Sequence, residues 1–306
     1  MVTGGAGFVG SHIVDALVDT GHKVLVVDDL SSGHAENLPA NVDMLELGIG
    51  GYSFRREAAR FKPDAIVHCA AQASVSVSMR SPVIDAETNI VSGLSVLTAA
   101  VESGCKQFVY INTGGALYGR PDYLPCDEDH PIRPISAYGL SKWTLEAYLN
   151  MLLPDSIPLK TLRLANVYGP RQDPNGEAGV VSIFGLRMIH GGEPAIFGDG
   201  EQTRDFVYVQ DVARAVVKAL SSDKPLTVNI GSGRGLSVND LFKTMAKQTG
   251  YKKKAKHGPE RAGDVKHIVL DCTLAQKLLG WEAEVSIEDG LKRTIEWLRA
   301  SGLTLD

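Results

Sequence analysis

Short apolar runs recur along the first part of the chain, with longer amphipathic stretches between them. The runs are KVLVVDD (23–29), DMLEL (43–47), DAIVHCAA (64–71), QFVYINT (107–113), LKTLRLAN (159–166) and LTVNIGS (226–232). Several are apolar nearly throughout, which is the pattern of parallel strands covered on both faces. Helical periodicity fills the gaps, over roughly 8–20, 53–61, 84–103 and 137–153. This alternation predicts an α/β fold, a Rossmann-type doubly wound parallel sheet. After residue 166 the rhythm loosens. The stretch 170–206 is rich in Gly and Pro, with one helical patch near 180–189. Two later helices announce their starts: Ser237 has Asp240 three residues on, and Ser286 has Asp289, both capping boxes with Asp in place of Glu. The expected organisation is a dinucleotide-type domain over 1–165, rejoined by about 205–232. A smaller C-terminal lobe is expected from 166–204 and 233–306.

Composition narrows the picture. With 306 residues, 44% hydrophobic and 22% charged, the chain reads as an ordinary globular protein of one large domain or two intertwined ones. A net charge of −5 gives no electrostatic reason to bind nucleic acid or an anionic membrane. The basic run Lys252-Lys253-Lys254 with Lys256 is short enough to be a solvated surface. No apolar run approaches the ~20 residues that span a bilayer, and no signal peptide is visible. A cytoplasmic protein is the expectation. Cys69, Cys105, Cys126 and Cys272 lack metal spacing, and His68 reads as a satisfied strand-end histidine, so no metal is expected.

The first chemistry-bearing motif is the turn of Gly4, Gly7 and Gly10, a GxxGxxG followed by a helical pattern. Glycines let a backbone turn tightly and approach a pyrophosphate, and the next helix offers its N–H groups and dipole to the phosphates. Strand 23–29 ends in Asp28, about 20 residues on, where a carboxylate can bind a ribose diol. An acidic group there disfavours a 2′-phosphate, so NAD is expected rather than NADP. A strand should precede such a turn. Only Met1, Val2 and Thr3 do, so a stub at the sheet's centre and a start further upstream are both open.

The second motif is Tyr138 with Lys142, one helical turn apart on one face. An ammonium beside a phenol favours phenolate, so Tyr138 is a candidate general base with a lowered pKa. Thr113 ends the strand just before this helix, at the edge where ligands sit in such sheets.

These motifs occur in order with TGGAGFVGSH, VDDLSSG, HCAAQASV, TNIVSG, NTGGALYG, YGLSK, LRLANVYGPRQDP, GDGEQTRDFVYVQDVA and RAGD. The chain resembles the extended short-chain dehydrogenases/reductases, most closely the UDP-glucose 4-epimerase branch (NAD-dependent epimerases/dehydratases), over residues 1 to about 300. The resemblance implies an isomerase. Tyr138 would take the proton of the sugar 4-hydroxyl while C4 passes hydride to NAD⁺; the 4-keto sugar would turn, and hydride would return to its other face. Lys142 would bind the nicotinamide ribose and keep Tyr138 ionised, and Thr113 would bond the reacting oxygen. By the same resemblance the cofactor contacts are Gly4, Gly7, Phe8, Val9, Gly10, Asp28, Asp29, Leu30, Ser31, Gly48, Ile49, Ala70, Ala71, Gln72, Asn89, Tyr138 and Lys142. The UDP-sugar contacts are Thr113, Asn166, Val181, Ala195, Phe197, Arg204, Arg261 and Asp264.

Two departures from the family's pattern stand out, and one position leaves the sugar open. Thr113 is the only hydroxyl before the Gly114-Gly115 pair, where relatives often have two. Gly48-Ile49 replaces the usual Asp that holds adenine. Ile268, seven past Arg261, is intermediate in size at a position that sets the room beside the sugar's 2-substituent. UDP-N-acetylglucosamine and UDP-glucuronate epimerases therefore stay open as alternatives. A dehydratase or decarboxylase is disfavoured, because Gly114, Gly115 and Ala116 supply no carboxylate after Thr113. A non-catalytic NAD-binding protein is the alternative from another class. The resemblance also implies a homodimer formed by the helices near 84–103 and 137–153.

Overall fold

The structure, a computed structural model, describes residues 1–174, 179–260 and 265–304. Its centre is a sheet of seven parallel strands: β1 (Val2–Thr3), β2 (Leu25–Asp28), β3 (Asp43–Glu46), β4 (Ala65–His68), β5 (Gln107–Thr113), β6 (Leu159–Leu164) and β10 (Leu226–Ile230). The spatial order is β10-β6-β5-β4-β1-β2-β3. The order reverses beside β1, and such a switch point opens a crevice at the carboxyl ends of the strands.

The uniformly apolar runs do what their pattern predicts. Val26, Val67, Val109 and Ile111 enter one core with α1 (Phe8–Asp19) and α8 (Val209–Leu220). Leu25, Val27, Ile66, Phe108 and Tyr110 enter a second core on the opposite face. That face is covered by α2 (Tyr52–Phe61), α5 (Ser92–Glu102) and α6 (Ala137–Leu152).

β1 pairs on both sides. Val2 and Thr3 pair with Val26 and Val27 on one side and with Val67 and His68 on the other. Below them, at the amino edge of the sheet, lies a cavity of about 740 Å³ walled by Val24, Leu25, Phe61, Ala65 and Val67. It faces away from the crevice.

The span 84–103 is not one continuous helix. After α3 (Val75–Arg80) come α4 (Pro82–Ala86), a π-helical turn over Glu87–Val91, and then α5. Asn89 sits in that turn, its side chain drawn inward by partners described below. Such insertions recur at functional sites.

The smaller lobe carries the strands that the looser pattern concealed: β7 (Asn166–Tyr168), β8 (Ala195–Phe197), β9 (Thr203–Tyr208), β11 (Gly235–Ser237), β12 (Lys256–Gly258) and β13 (His267–Ile268). β9 pairs with β7, β11 and β13, while β8 pairs with β12. Its core of Tyr168, Phe184, Tyr208, Leu241 and Leu291 is closed by α7 (Val180–Ile189), α9 (Val238–Thr249) and α11 (Ile287–Ala300). α10 (Thr273–Leu279) returns to the main sheet beside β10. Both expected caps are present. Ser237 and Ser286 accept from the N–H groups of Asp240 and Asp289, and each serine hydroxyl donates back to that aspartate. No helix among the described residues is long and apolar enough to cross a membrane.

Candidate active site

The glycine turn links β1 to α1 and is closed on backbone atoms. Gly4 has φ +66°, and a Cβ there would lie 2.6 Å from the Ala70 backbone. A Cβ on Gly10 would meet the Gly4 carbonyl oxygen at 2.0 Å. Gly7 is the N-cap of α1, and no side chain caps that helix. Its first turn, with Phe8 and Val9 half-buried, therefore presents backbone N–H groups and the positive dipole end, which suits a phosphate.

Asp28, at the end of β2, is buried and preorganised. Its two carboxylate oxygens accept from Ala6 N and Leu30 N, both at 2.9 Å. The carboxylate thus ties the glycine turn to the loop after β2, with lone pairs left over for a diol. Leu30 holds a left-handed φ of 57° in that loop, and Asp29 accepts from both Ser31 N and Ser31 Oγ. Across the crevice, Ala70, Ala71 and Gln72 follow β4, half-buried. Gln72 and Asn89 clamp each other: Gln72 N donates to Asn89 Oδ1 at 2.9 Å, and Asn89 Nδ2 to Gln72 O at 3.0 Å. Gln72 Nε2 and Asn89 Nδ2 also reach buried Asp85, and Asn89 Nδ2 reaches Ser141 Oγ on α6. Gly48 is exposed beyond β3, and Ile49 puts its side chain into the second core. The residues thus fit an NAD cradle on the cradle's own terms: a turn that no side chain could enter, an uncapped helix end and a preorganised carboxylate.

The candidate catalytic group stands on the adjoining strand and helix. Ser136 starts α6 by accepting from Gly139 N at 3.1 Å, which places Tyr138 in the first turn. The phenol of Tyr138 faces Thr113 at the end of β5, close enough for the Thr113 side chain to draw its pKa down. Thr113 Oγ1 accepts from Ala116 N at 3.2 Å. Lys142, one turn on, is buried; its Nζ donates to Ile111 O at 2.8 Å and lies 4.4 Å from the Tyr110 ring centroid.

This geometry corrects one expectation. Tyr138 does not have a lowered pKa here: burial and the negative charge of Asp85 push it up to about 12, with the neighbouring Thr113 side chain opposing. The Lys142 ammonium is turned to a carbonyl and a ring face rather than to the phenol. Burial lowers Lys142 itself to about 8, while Cys69, Asp85 and Glu146 act the other way. The surroundings of Tyr138 in this structure thus favour the neutral phenol over the phenolate. His68 is satisfied as expected, sharing a 2.8 Å hydrogen bond with Thr3 Oγ1, and burial takes it down to about 3.

The residues expected at the sugar nucleotide are brought together unevenly. Asn166 is exposed at the start of β7. A Cβ on Gly115 would lie 3.4 Å from Asn166 Oδ1 and 3.9 Å from Thr113 Oγ1, so both converge on the space over Gly115. Arg204 stands on β9 opposite Ile268, and its Nη1 donates to Thr203 O at 2.9 Å. Ile268 is buried. Phe197 lines a cavity of about 170 Å³ with Gly198, Gln202, Val265 and Lys266; Ala195 is half-buried at the other end of β8. Val181 differs from expectation. It is fully buried in the lobe core, so its side chain has no face for a ligand. Arg261 and Asp264 lie outside the described residues. Asp85, Asn112, Glu146 and Arg163 went unread in the sequence. Glu146 was legible, because it continues the Tyr138–Lys142 spacing by one more turn.

The sequence profile of the NAD-dependent epimerase/dehydratase family matches residues 1–231. The chain belongs to that family. A putative UDP-glucose 4-epimerase of Methanocaldococcus jannaschii is 42% identical, with 99% of each chain covered. The crystal structure of UDP-glucose 4-epimerase from Thermotoga maritima with UDP-glucose superposes with a TM-score of 0.93 at 47% identity, covering 98% of each chain. The Thermus thermophilus UDP-glucose 4-epimerase, in complex with NAD, gives 0.92 at 38% identity, again covering 98% of each chain. The Rossmann-type fold, NAD as cofactor and an isomerase activity follow.

Proposed function

We propose that this family member interconverts UDP-glucose and UDP-galactose at C4. The observation that carries the reading is that Tyr138, in the first turn of α6, and Thr113, at the end of β5, meet at the carboxyl edge of the sheet, with Lys142 one turn away and no carboxylate at 114–116. Elimination of water needs an acid or base at those positions, and proton exchange at a single hydroxyl does not.

NAD, when bound, supplies an acceptor and donor of hydride and a positively charged ring near the phenol. The turn of Gly4, Gly7 and Gly10 with Phe8 and Val9 would hold its pyrophosphate, and Asp28 a ribose diol, with Asp29, Leu30 and Ser31 shaping that loop. Ala70, Ala71, Gln72 and Asn89 would wall the crevice opposite. Gly48 and Ile49 offer backbone alone to the adenine. Once positive charge in the crevice favours its phenolate, Tyr138 would take the proton of the sugar hydroxyl, becoming the neutral phenol, and return it after the ring has turned. Thr113 holds the same oxygen. Lys142 contributes a buried positive charge that keeps negative charge on the phenol tolerable. Arg204 and Asn166, with Arg261, would meet the diphosphate, since guanidinium forks match phosphate oxygens. Ala195, Phe197 and the small cavity beside Phe197 suit a uracil, and Asp264 its ribose.

The test is incubation with UDP-galactose and no added NAD. UDP-glucose is expected to accumulate to equilibrium without net NADH. UDP-N-acetylgalactosamine and UDP-galacturonate run beside it, and faster turnover of either reassigns the sugar. Bound NAD without turnover of any of them overturns the catalytic reading.

The same reading includes a homodimer in the cytoplasm. Val83, Ile84, Val91, Leu140, Met151 and Leu152 expose large apolar side chains on the helices expected to form the dimer. Cys69, Cys105, Cys126 and Cys272 are free thiols, as a reducing compartment favours. Ile84→Glu with Met151→Glu is expected to convert a dimer to a monomer in sedimentation equilibrium. A native protein that sediments as a monomer removes this part.

A further inference from the structure

The buried charges around α6 are more elaborate than stability requires. Glu146 lies one turn beyond Lys142. It accepts from Arg163 Nη2 at 2.6 Å and Nε at 3.3 Å, and from Asn112 Nδ2. Arg163 and Asn112 are cross-strand partners on β6 and β5. All three side chains are buried. Arg163 Nη1 goes on to Tyr118 Oη and Glu128 O, both at 3.2 Å, and Tyr118 Oη donates to Asn229 Oδ1 at 2.7 Å. A buried ion pair of this kind is seldom more stable than well-packed apolar side chains of the same volume. Its distinguishing product is fixed geometry. The free end of the chain of contacts points to the site, for Asn112 Oδ1 accepts from Thr113 N at 2.8 Å.

We propose that Asn112 is a positioning residue that couples the Glu146–Arg163 pair on α6 and β6 to Thr113, and thereby holds the Thr113 hydroxyl against Tyr138. The inference rests on the catalytic reading of Thr113 and Tyr138 above. Asn112 is suited to this because its amide donates to Glu146 and accepts from Thr113 at once, which neither Asp nor an apolar residue can do. Without it, the end of β5 keeps its ladder to β6 but loses its tie to the helix that carries the phenol.

The test uses the full-length enzyme and the UDP-galactose assay. Asn112→Ala leaves the Glu146–Arg163 pair intact. It is expected to lower kcat about ten- to a hundredfold, as small misplacements of reacting groups do, with KM for UDP-galactose and bound NAD little changed. Combined with Thr113→Ala it should add almost no further loss, because both act on one hydroxyl. Should Asn112→Ala not fold, Asn112→Asp sets a second carboxylate against Glu146 and lowers kcat in the same way. Adding Glu146→Gln then restores one amide and one carboxylate, and most of the rate. Native kcat in Asn112→Ala, losses that multiply in the double variant, or no recovery in the swapped pair would each overturn the coupling. Tyr138→Phe, run alongside, separates the two levels. Its inactivity beside a fully active Asn112→Ala removes the coupling alone, whereas its full activity removes the site reading on which the coupling stands.

Discussion

Tyr138→Phe is expected to lower epimerisation by about 10²–10⁴-fold, the range for losing a positioned acid–base group, with little change in stability or bound NAD. The hydroxyl it deletes faces Thr113, and the ring that remains fills the same volume. The fold therefore loses at most one polar contact, on the order of 1 kcal/mol. The reaction loses its proton carrier. The raised pKa sharpens the expectation. A phenol held near 12 by burial and Asp85 is a poor base at neutral pH until positive charge enters the crevice. Proton removal should therefore depend on bound cofactor as well as on Lys142. The measurement is the rate of UDP-glucose formation from UDP-galactose, with thermal melting and acid-released NAD determined on the same preparation. Undiminished turnover with melting and NAD unchanged would overturn the assignment of Tyr138.

The larger part of the fold was legible because the central strands bury both faces. Runs such as KVLVVDD and QFVYINT carry apolar residues at successive positions, and only a covered parallel sheet uses such runs economically. The lobe was less legible for the opposite reason. β7, β8, β11, β12 and β13 have two or three residues each, too few for a period of two to register. α8 was missed although Val209, Val212, Ala213 and Val216 keep helical spacing, because it follows β9 without a break.

At the site, the spacing of Tyr138 and Lys142 was visible, but the direction of Lys142 was not. Its position on the helix face is a local property. Its partners, Ile111 O and the Tyr110 ring, come from a strand some thirty residues earlier and are set by packing. The same holds for Asp85 and Asn89, whose roles depend on the π-helical turn, and for Val181, whose burial follows from the lobe's core.

Gly10→Ala is expected to abolish copurification of NAD and to destabilise the protein by about 1–3 kcal/mol, the usual cost of overpacking. The added Cβ would lie 2.0 Å from Gly4 O and 2.9 Å from Gly5 Cα. Neither atom can readily retreat. Gly4 N is bonded to Val27 O at 2.8 Å, and Gly4 abuts the Ala70 backbone. The helix must move instead, and α1 is packed along its length against α8. The first turn of α1 would then no longer aim its N–H groups at the crevice. Gly48→Ala is the contrasting variant, because a Cβ at Gly48 meets open space. It should keep both its NAD and its melting temperature. Loss of NAD in Gly10→Ala alone assigns the cradle to the turn. Retention of NAD in that variant, with melting unchanged, would show that the turn is only a turn.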